Sequence, residues 1–296
     1  MDDRRSTIDD DALAEWLALR EAADAIARSV SLTSAVAERI ATASPANVLD
    51  LGTGTGSNFR FLAGQLPHVQ RWLAVDRSAS LLDQLVARTS AWGVERGCQV
   101  VTEGTVCVVR GERLDCRIDT LERNLGSLDH EDIFAGRHLV TASALLDLVS
   151  EPWLRSLANR CRAAGAAVLL TITYNGATTC APVEPEDALV LDLFNRHQRT
   201  DKGLGGPAAG PDAAACAVRC FTEVGYHVTT DPSDWQLGPA DAEFQRQLIA
   251  GWAEAATEMA SDAAATIAGW RSRRLQHVEA GRSQLVVGHT DMAAWL

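Results

Sequence analysis

Three glycines alternate with threonines directly after a short apolar run in this chain of 296 residues. The run Val48–Leu51 contains one acid, Asp50, and Gly52, Gly54 and Gly56 follow it. Glycine lets the backbone approach a ligand that a Cβ atom would keep away. A helical pattern begins immediately behind the turn, so free N–H groups at its start can bind a polar or anionic group. The segment therefore predicts a ligand-binding turn between a strand and a helix.

The turn differs from those that bind dinucleotides. Their spacing, Gly-x-Gly-x-x-Gly, requires a third glycine at the position that Ser57 occupies here. Asp50 would also repel a pyrophosphate, whereas a carboxylate beside the turn suits an amine. The predicted ligand is therefore polar but carries no phosphate.

Apolar runs alternate with helical patterns around this turn. Strands are predicted at residues 48–51, 72–75, 114–118, 138–142 and 166–174, and helices at 58–66, 78–92 and 153–164. Such alternation predicts a parallel sheet with right-handed crossovers. Two β-rich runs within residues 98–111 predict a hairpin before the third of these strands.

Further helices are predicted on both sides of this alternation. An apolar stripe at helical spacing predicts helices within residues 11–43, placed over the open end of the sheet. After residue 174 the pattern predicts helices at 185–198, 211–224, 241–261 and 263–280, and strands at 226–230 and 284–289.

Acids follow two of the predicted strands. Asp76 ends the second strand, 20 residues after Gly56, where a carboxylate can accept hydrogen bonds from two ribose hydroxyls. Asp119 ends the third strand, where it can accept a hydrogen bond from the amino group of adenine, and Asp115 is the alternative adenine contact. Each acid can also be an ordinary surface carboxylate at a strand end.

The pattern Asp-Leu-Gly-x-Gly-x-Gly, with these acids in order, resembles motif I of class I S-adenosylmethionine (SAM) methyltransferases of the small-molecule type. The resemblance covers roughly residues 45–175. It implies an α/β fold, with a doubly wound, mostly parallel seven-stranded sheet of the Rossmann-like methyltransferase type, N-terminal helices and a helical cap. It also implies SAM as cofactor and in-line methyl transfer to a small molecule. The implied cofactor-binding residues are Asp50, Gly52, Thr53, Gly54, Gly56, Asn58, Asp76, Arg77, Asp119, Thr120 and Ser143.

The chain is predicted to divide into four parts. These are an N-terminal helical segment (1–44), the SAM-binding core (45–176), a cap insertion (177–211) and a C-terminal part of the core with added helices (212–296). Because the resemblance covers only the cofactor half, two alternatives remain. One is a SAM-binding lyase, hydrolase or rearrangement enzyme, and the other is a non-catalytic SAM-binding protein.

The fourth strand leads into a segment that bears on the acceptor. It lacks the Asn-Pro-Pro-Tyr or Asp-Pro-Pro-Tyr signature of enzymes that methylate bases or glutamine side chains. It resembles instead a Ser-x-x-Leu-His region of small-molecule methyltransferases, with Asp147 where histidine is common. Asp147 either faces the acceptor or caps a helix start. The candidate catalytic residues are Asp147, His197 and Tyr174, since a general base is needed if the acceptor loses a proton.

His197 belongs to the most polar part of the predicted cap. Asn195, His197, Asp201 and Lys202 precede a glycine-rich loop and are predicted to recognise the acceptor. The other interpretation is a solvated helix end closed by glycine.

Arg20, Asp24 and Arg28 recur every four residues on one face of the first helix. They form either a solvated charge ladder or a set of polar groups that line a pocket.

Composition limits the partners. A net charge of -12 without a basic stripe weighs against nucleic acid. No apolar run is long enough for a membrane span, and Met1–Arg5 does not resemble a secretion signal, so a cytoplasmic location is expected. Seven cysteines without metal-ligand spacing are expected to be reduced thiols, and no metal site is predicted. The oligomeric state is not predicted.

Overall fold

The computed structural model describes residues 10–129 and 131–296, so Met1–Arg5 lies outside the described residues. The helices are α1 (Asp10–Ala27), α2 (Val30–Arg39), α3 (Ser57–Leu62), α4 (Ala79–Glu95), α5 (Glu151–Ala164), α6 (Asp187–Gln198), α7 (Ala213–Glu223), α8 (Ala242–Met259) and α9 (Ala264–Glu279). The strands are β1 (Ala46–Leu51), β2 (Val69–Asp76), β3 (Gln99–Glu103), β4 (Val106–Gly111), β5 (Leu114–Glu122), β6 (Leu139–Ser143), β7 (Ala167–Ala181), β8 (His227–Pro232), β9 (Trp235–Leu237) and β10 (Gln284–Trp295). Within the described ranges, none of the helices has the length and apolar character that crossing a membrane requires.

One ten-stranded sheet organises the chain, in the order β3-β4-β5-β2-β1-β6-β7-β10-β8, with β9 paired to β10. The five central strands, β5-β2-β1-β6-β7, are parallel to one another, and β10 is antiparallel to both β7 and β8. The chain winds outward from β1 to β5 on one side and from β6 to β8 on the other. This order confirms the predicted doubly wound, Rossmann-like methyltransferase fold.

The sheet is wider than the seven strands predicted. The seven strands from β5 to β8 form the predicted sheet, and the hairpin β3–β4 extends it beyond β5. The hairpin predicted within residues 98–111 is thus confirmed. The short strand β9 pairs with β10 at Leu285–Val287 and accounts for the tenth strand.

Helices cover both faces of the sheet because side chains alternate along each strand. On β1, Leu49 and Leu51 join a core cluster with α5 and α7, whereas Val48 joins a second cluster with α2, α3 and α4. The fully buried rings of Phe59 and Trp72 meet edge to face in the second cluster, with centroids 5.2 Å apart. The result is a three-layer arrangement around β1.

A third core lies beyond the carboxyl ends of the strands. It joins α6, α8 and α9 to the extended part of β7 and to β9 through apolar side chains such as Val190, Leu193, Trp252 and Trp270. Helix α1 reaches this cluster through Trp16, whose ring lies 5.2 Å from that of Phe244. Helices α6, α8 and α9, called the cap below, therefore share one apolar core.

Two strands are longer than predicted. Strand β7 runs to Ala181 instead of ending at Tyr174, because β10 pairs with it as far as Gln284. Strand β5 runs to Glu122 instead of ending before Asp119, since β2 pairs with it along its whole length. Both extensions depend on a neighbouring strand distant in sequence.

A buried ion pair fastens α9 to the start of α6. Arg274 is fully buried, donates to the carboxylate of Asp187 and donates from Nη1 to the carbonyl oxygen of Pro182 at 2.6 Å. Trp270 Nε1 donates to the same Asp187 carboxylate at 2.7 Å. The adjacent Arg273 forms ion pairs with Glu184 and Glu186 at the surface.

We expect Arg274→Ala to lower the free energy of unfolding by about 3–5 kcal/mol, because it leaves the Asp187 carboxylate buried without its cation. Chemical denaturation of the parent and of Arg274→Ala measures this loss of stability. Arg273→Ala is the matched control and should cost far less, since the Arg273 side chain is 39% exposed whereas that of Arg274 is fully buried. Equal losses in both variants would contradict a special contribution from the buried pair.

Candidate functional site

The glycine turn connects β1 to α3 at the carboxyl edge of the sheet. All three of its glycines have positive φ angles, +64° at Gly52, +52° at Gly54 and +84° at Gly56. A Cβ atom at Gly56 would lie 2.7 Å from Leu85 Cγ, and one at Gly54 would lie 2.9 Å from Leu17 Cδ1. Side chains are therefore excluded at both positions by backbone conformation and by space.

Asp50 organises the turn from within. It is only 1% exposed and accepts hydrogen bonds from Thr53 Oγ1 at 2.6 Å and from Asn58 Nδ2 at 2.7 Å. Burial raises the pKa of this carboxyl to about 6, against the effect of the two donors. Both oxygens are engaged, so Asp50 joins the end of β1 to the start of α3.

Asp76 joins the turn to the next strand. Its Oδ2 accepts from the backbone N–H of Gly54 at 2.8 Å, and its Oδ1 accepts from that of Ser78 at 3.1 Å. Burial raises the pKa of Asp76, while the backbone donors and the charge of Arg77 oppose the rise. The side chain of Arg77 is exposed beside it. The carboxyl ends of β1 and β2 thus meet at one carboxylate.

The predicted adenine contact at Asp119 requires correction. Since β5 continues to Glu122, it is Glu122 and not Asp119 that lies level with Asp76 in the sheet register. Asp119 lies within the strand and pairs at the surface with Arg117, whose Nη2 is 2.7 Å from Asp119 Oδ1.

Two related predictions are corrected for the same reason. Thr120 also lies within β5, and its Oγ1 donates to the carbonyl oxygen of Thr105 in the hairpin at 3.1 Å. Asp115, the alternative adenine contact, is at the opposite end of β5 and forms an exposed ion pair with Arg110. The structure brings neither residue to the glycine turn.

Arg28 reaches the turn from the junction of α1 and α2. It is 3% exposed and donates from Nη1 to Asn58 Oδ1 at 3.0 Å and from Nη2 to Ser143 Oγ at 2.7 Å. Its guanidinium also lies over the ring of Phe61, 4.6 Å from the centroid. The predicted cofactor residues Asn58 and Ser143 are therefore brought together by a cation that the turn motif does not include.

Arg20 and Asp24 are buried as well, so the solvated-ladder interpretation is wrong. Arg20 Nε donates to Asp24 Oδ2 at 3.0 Å, and Trp235 Nε1 donates to Asp24 Oδ1 at 2.9 Å. The Arg20 guanidinium lies 5.0 Å from the centroid of the Trp235 ring. These contacts join α1 to β9 beside the turn.

Asp147 lies behind β6 in a short 3₁₀ turn, Leu146–Leu148, and is buried. It does not cap α5, since Ser150 Oγ accepts the hydrogen bond from Trp153 N. Burial raises the pKa of Asp147 to about 6, although the backbone N–H of Tyr174 and nearby positive charges oppose the rise. The capping interpretation is therefore wrong, and Asp147 is a buried acid at the carboxyl edge.

The other two catalytic candidates lie in different surroundings. Tyr174 is buried and donates from its hydroxyl to Asn195 Oδ1 at 2.8 Å, and burial raises the pKa of the phenol to about 12. His197 is half-buried on α6, with Nε2 3.2 Å from Glu258 Oε2 and Nδ1 3.4 Å from Lys202 Nζ. Tyr174 is thus protonated at neutral pH, and the ring of His197 contacts Glu258 of α8 and Lys202 in the loop after α6.

Lys202 connects the cap to the site. Its positive charge opposes the rise in the pKa of Asp147, and burial lowers the pKa of Lys202 itself. Asp201 is exposed and accepts from the backbone N–H of Gly203 at 2.7 Å, so it shapes the loop. Of the four polar cap residues, Asn195 and Lys202 therefore lie nearest to the buried groups of the core.

His289 is a candidate that sequence reasoning missed. It pairs with Tyr174 across β10 and β7, is 4% exposed and lies 4.3 Å from the Trp235 ring, centroid to centroid. Its Nδ1 is 2.9 Å from the carbonyl oxygen of Val287, and burial lowers its pKa to about 3. The ring is therefore neutral, donates from Nδ1 and leaves Nε2 as an acceptor. Only the antiparallel register of β10, which no local pattern predicts, places it beside Tyr174.

Helix α1 lies across the glycine turn. Leu17 approaches Gly54 as described, and only Ala14, Arg20 and Asp24 of this 18-residue helix are buried. Polar contacts fix it to α3 and α4, namely Arg60 with Glu21, Ser78 with Asp10, and Arg88 with the carbonyl oxygen of Ala14. The helix is therefore held over the site by these polar contacts and by partly buried apolar side chains that pack against the third core, namely Trp16, Leu19, Ala23 and Ala27.

No protein-family model matches the chain, and no curated protein matches it. Solved structures with a similar fold include the cyclase SpnF, 16% identical over 90% of this chain and 80% of that chain, with a TM-score of 0.40. The cyclopropane synthase MmaA2 from Mycobacterium tuberculosis is 12% identical over 90% and 84%, with a TM-score of 0.45. A SAM-dependent methyltransferase from Geobacter sulfurreducens, solved with S-adenosyl-L-homocysteine, is 13% identical over 90% and 91%, with a TM-score of 0.43. Because these identities and TM-scores are low, any assignment of function depends on the residues of this chain.

The raised pKa of Asp147 has a consequence for stability. Because its folded pKa of about 6 exceeds the unfolded value of about 4, protonation favours the folded state. The stabilisation is complete below pH 4 and is lost as the pH rises through 6. We expect Asp147→Asn to be more stable than the parent at pH 7 by about 1–3 kcal/mol, with the difference shrinking towards pH 4.

Denaturation midpoints of both proteins between pH 4 and pH 8 measure this difference. The exposed and non-titrating Gln99→Asn is the control, and its difference from the parent should vary little over the same range. A difference for Asp147→Asn that stays constant with pH would contradict the assignment.

Proposed function

We propose that this chain is a SAM-dependent methyltransferase that acts on a small-molecule acceptor. The observation that carries the proposal is the glycine turn at the carboxyl end of β1, beside β6, where the winding of the sheet reverses. Ligands of doubly wound sheets bind at this reversal. The turn carries a buried acid and lacks the dinucleotide spacing, which favours a cationic nucleoside over a pyrophosphate.

The residues at the turn fit such a cofactor. A Cβ atom at Gly54 would fill the space that Leu17 now occupies and a ligand would need, and we propose that Asp76 accepts hydrogen bonds from the ribose hydroxyls. Thr55 Oγ1 is buried and has no hydrogen-bond partner among the described residues. When bound, the cofactor supplies a methyl group already activated by its sulfonium.

Helix α1 has to leave the turn for a nucleoside to reach Asp76. Leu17 lies against Gly54, and Ser78, which donates to Asp76, is itself held by Asp10 of α1. Methyl transfer requires that water be kept out of the site, and the return of the helix excludes it. We propose that α1 opens for binding and closes for reaction.

The acceptor is proposed to bind between α1, the cap and the ends of β6 and β7. Tyr174 and His289 are neutral there and offer hydrogen bonds, while Asp147 is ionised at neutral pH. If the acceptor loses a proton, Asp147 is the base that the geometry favours, since Tyr174 is protonated and His197 is engaged in the cap. Otherwise orientation suffices, because in-line transfer from a sulfonium depends mainly on proximity. The net charge of -12 supports a small molecule over nucleic acid.

Calorimetry tests the choice of cofactor. SAM and S-adenosylhomocysteine should bind and NAD should not. Gly54→Val should abolish binding, and Asp76→Ala should weaken it by roughly 1–3 kcal/mol through lost charge-assisted hydrogen bonds. The exposed Asp83→Ala on α4 is the control and should bind as the parent does. Tighter binding of NAD than of SAM would overturn the proposal.

Product identity tests the reaction. Incubation with SAM and a panel of small hydroxyl, amine and carboxylate acceptors should yield S-adenosylhomocysteine and a product heavier by one methylene unit, read by mass spectrometry. Asp147→Asn should lower the rate without changing SAM affinity. Formation of 5′-methylthioadenosine instead would indicate elimination, and intact SAM with every acceptor would indicate a binding protein.

A further inference from the structure

Arg28 is a buried cation whose direct hydrogen-bond partners are neutral. Its Nη1 donates to the side-chain oxygen of Asn58 and its Nη2 donates to the hydroxyl of Ser143. The carboxylates of Asp24, Asp50 and Asp291 act on it electrostatically, but none of the described hydrogen bonds joins them to it. An arginine buried this deeply is normally paired with an anion.

The Nε atom of Arg28 is the unused donor of this guanidinium. It is buried and has no hydrogen-bond partner among residues 10–129 and 131–296. A buried donor without an acceptor costs free energy that a bound anion would recover. A guanidinium presents its donors as a planar fork, which suits a carboxylate.

The backbone around Arg28 is held on both sides, since its own N–H donates to the carbonyl oxygen of Asp24 in α1 at 3.1 Å and the next residue is bound to the sheet. The N–H of the next residue, Ser29, donates to Asp291 Oδ2 at 2.8 Å, and Ser29 Oγ donates to Asp231 Oδ2 at 2.6 Å. Asp291 is fully buried and also accepts from the N–H of Ile172 in β7 at 2.7 Å. The contacts of Ser29 with the sheet therefore hold Arg28 at the carboxyl edge in addition to its contact with α1.

Arg28 is also coupled to the acid of the turn. Asn58 accepts from Arg28 through Oδ1 and donates to Asp50 through Nδ2, so a single amide separates the cation from the carboxylate. Positive and negative groups at this spacing complement an α-amino acid, whose carboxylate and ammonium are attached to one carbon.

We propose that Arg28 binds the carboxylate at the amino-acid end of the ligand on the glycine turn. The inference rests on the proposed function, in which that ligand is SAM. Arg28 then fixes the methionine portion while Asp76, at the neighbouring strand, holds the ribose.

The test compares S-adenosylhomocysteine with its carboxyl methyl ester, which keeps the amine and the nucleoside but removes the negative charge. Isothermal titration calorimetry is carried out on the parent, Arg28→Met and Arg39→Met. Arg39 is the matched control because its guanidinium also lies over an aromatic ring, that of Trp295, at the opposite edge of the sheet. The parent and Arg39→Met should bind the free acid at least about tenfold more tightly than the ester.

Arg28→Met should bind both ligands within about twofold of each other. A parent that does not distinguish acid from ester, or an Arg28→Met variant that still does, overturns the inference while leaving the proposed function intact. A parent that binds neither ligand removes the proposed function and this inference with it. If Arg28→Met does not fold in a thermal scan, Arg28→Lys takes its place. It should bind the acid more weakly than the parent and the ester equally well, and an unchanged acid-to-ester ratio would overturn the inference.

Discussion

The hydrogen bond from Gly54 N–H to Asp76 is the contact on which the site depends, because it joins the ends of two neighbouring strands. The turn contains three glycines with positive φ, and glycine has the largest conformational entropy in the unfolded chain. The folded turn therefore needs other contacts to hold it in place. Asp50 holds the turn on the side of α3, and Asp76 holds it on the side of β2. Burial makes both carboxylates costly to ionise, and the donors around them offset that cost.

A second layer of polar contacts is built upon this one. Asn58 extends the Asp50 contact to Arg28, which in turn reaches Ser143 at the end of β6. Arg20, Asp24 and Trp235 continue the polar layer between α1 and β9. The region between the sheet and the cap is thus a continuous buried network. In such a network each charge depends on its neighbours: burial is the main cause of the shifted pKa values of Asp147 and His289, and the charge of Arg20 in α1 lowers both.

Sequence reasoning succeeded where the signal was local. The glycine turn, the alternation of strands and helices, and Asp76 at the end of β2 all follow from short patterns, and the structure has the predicted sheet at its centre. It failed where pairing over long distances decides the outcome. The predicted end of β5 at Asp119 was wrong, because pairing with β2 and β4 extends the strand to Glu122. Arg28 was recognised as a polar member of a helix face, but its burial depends on contacts with residues 30 and 115 positions away.

The cover over the turn has a kinetic meaning. Only three residues of helix α1 are buried and two of them are charged, and a segment of this kind can open locally while the remaining fold stays intact. If α1 opens for binding as proposed, the observed rate of ligand binding rises with ligand concentration only until it equals the rate at which the helix opens. Beyond that concentration, the opening of the helix and not diffusion sets the rate of binding.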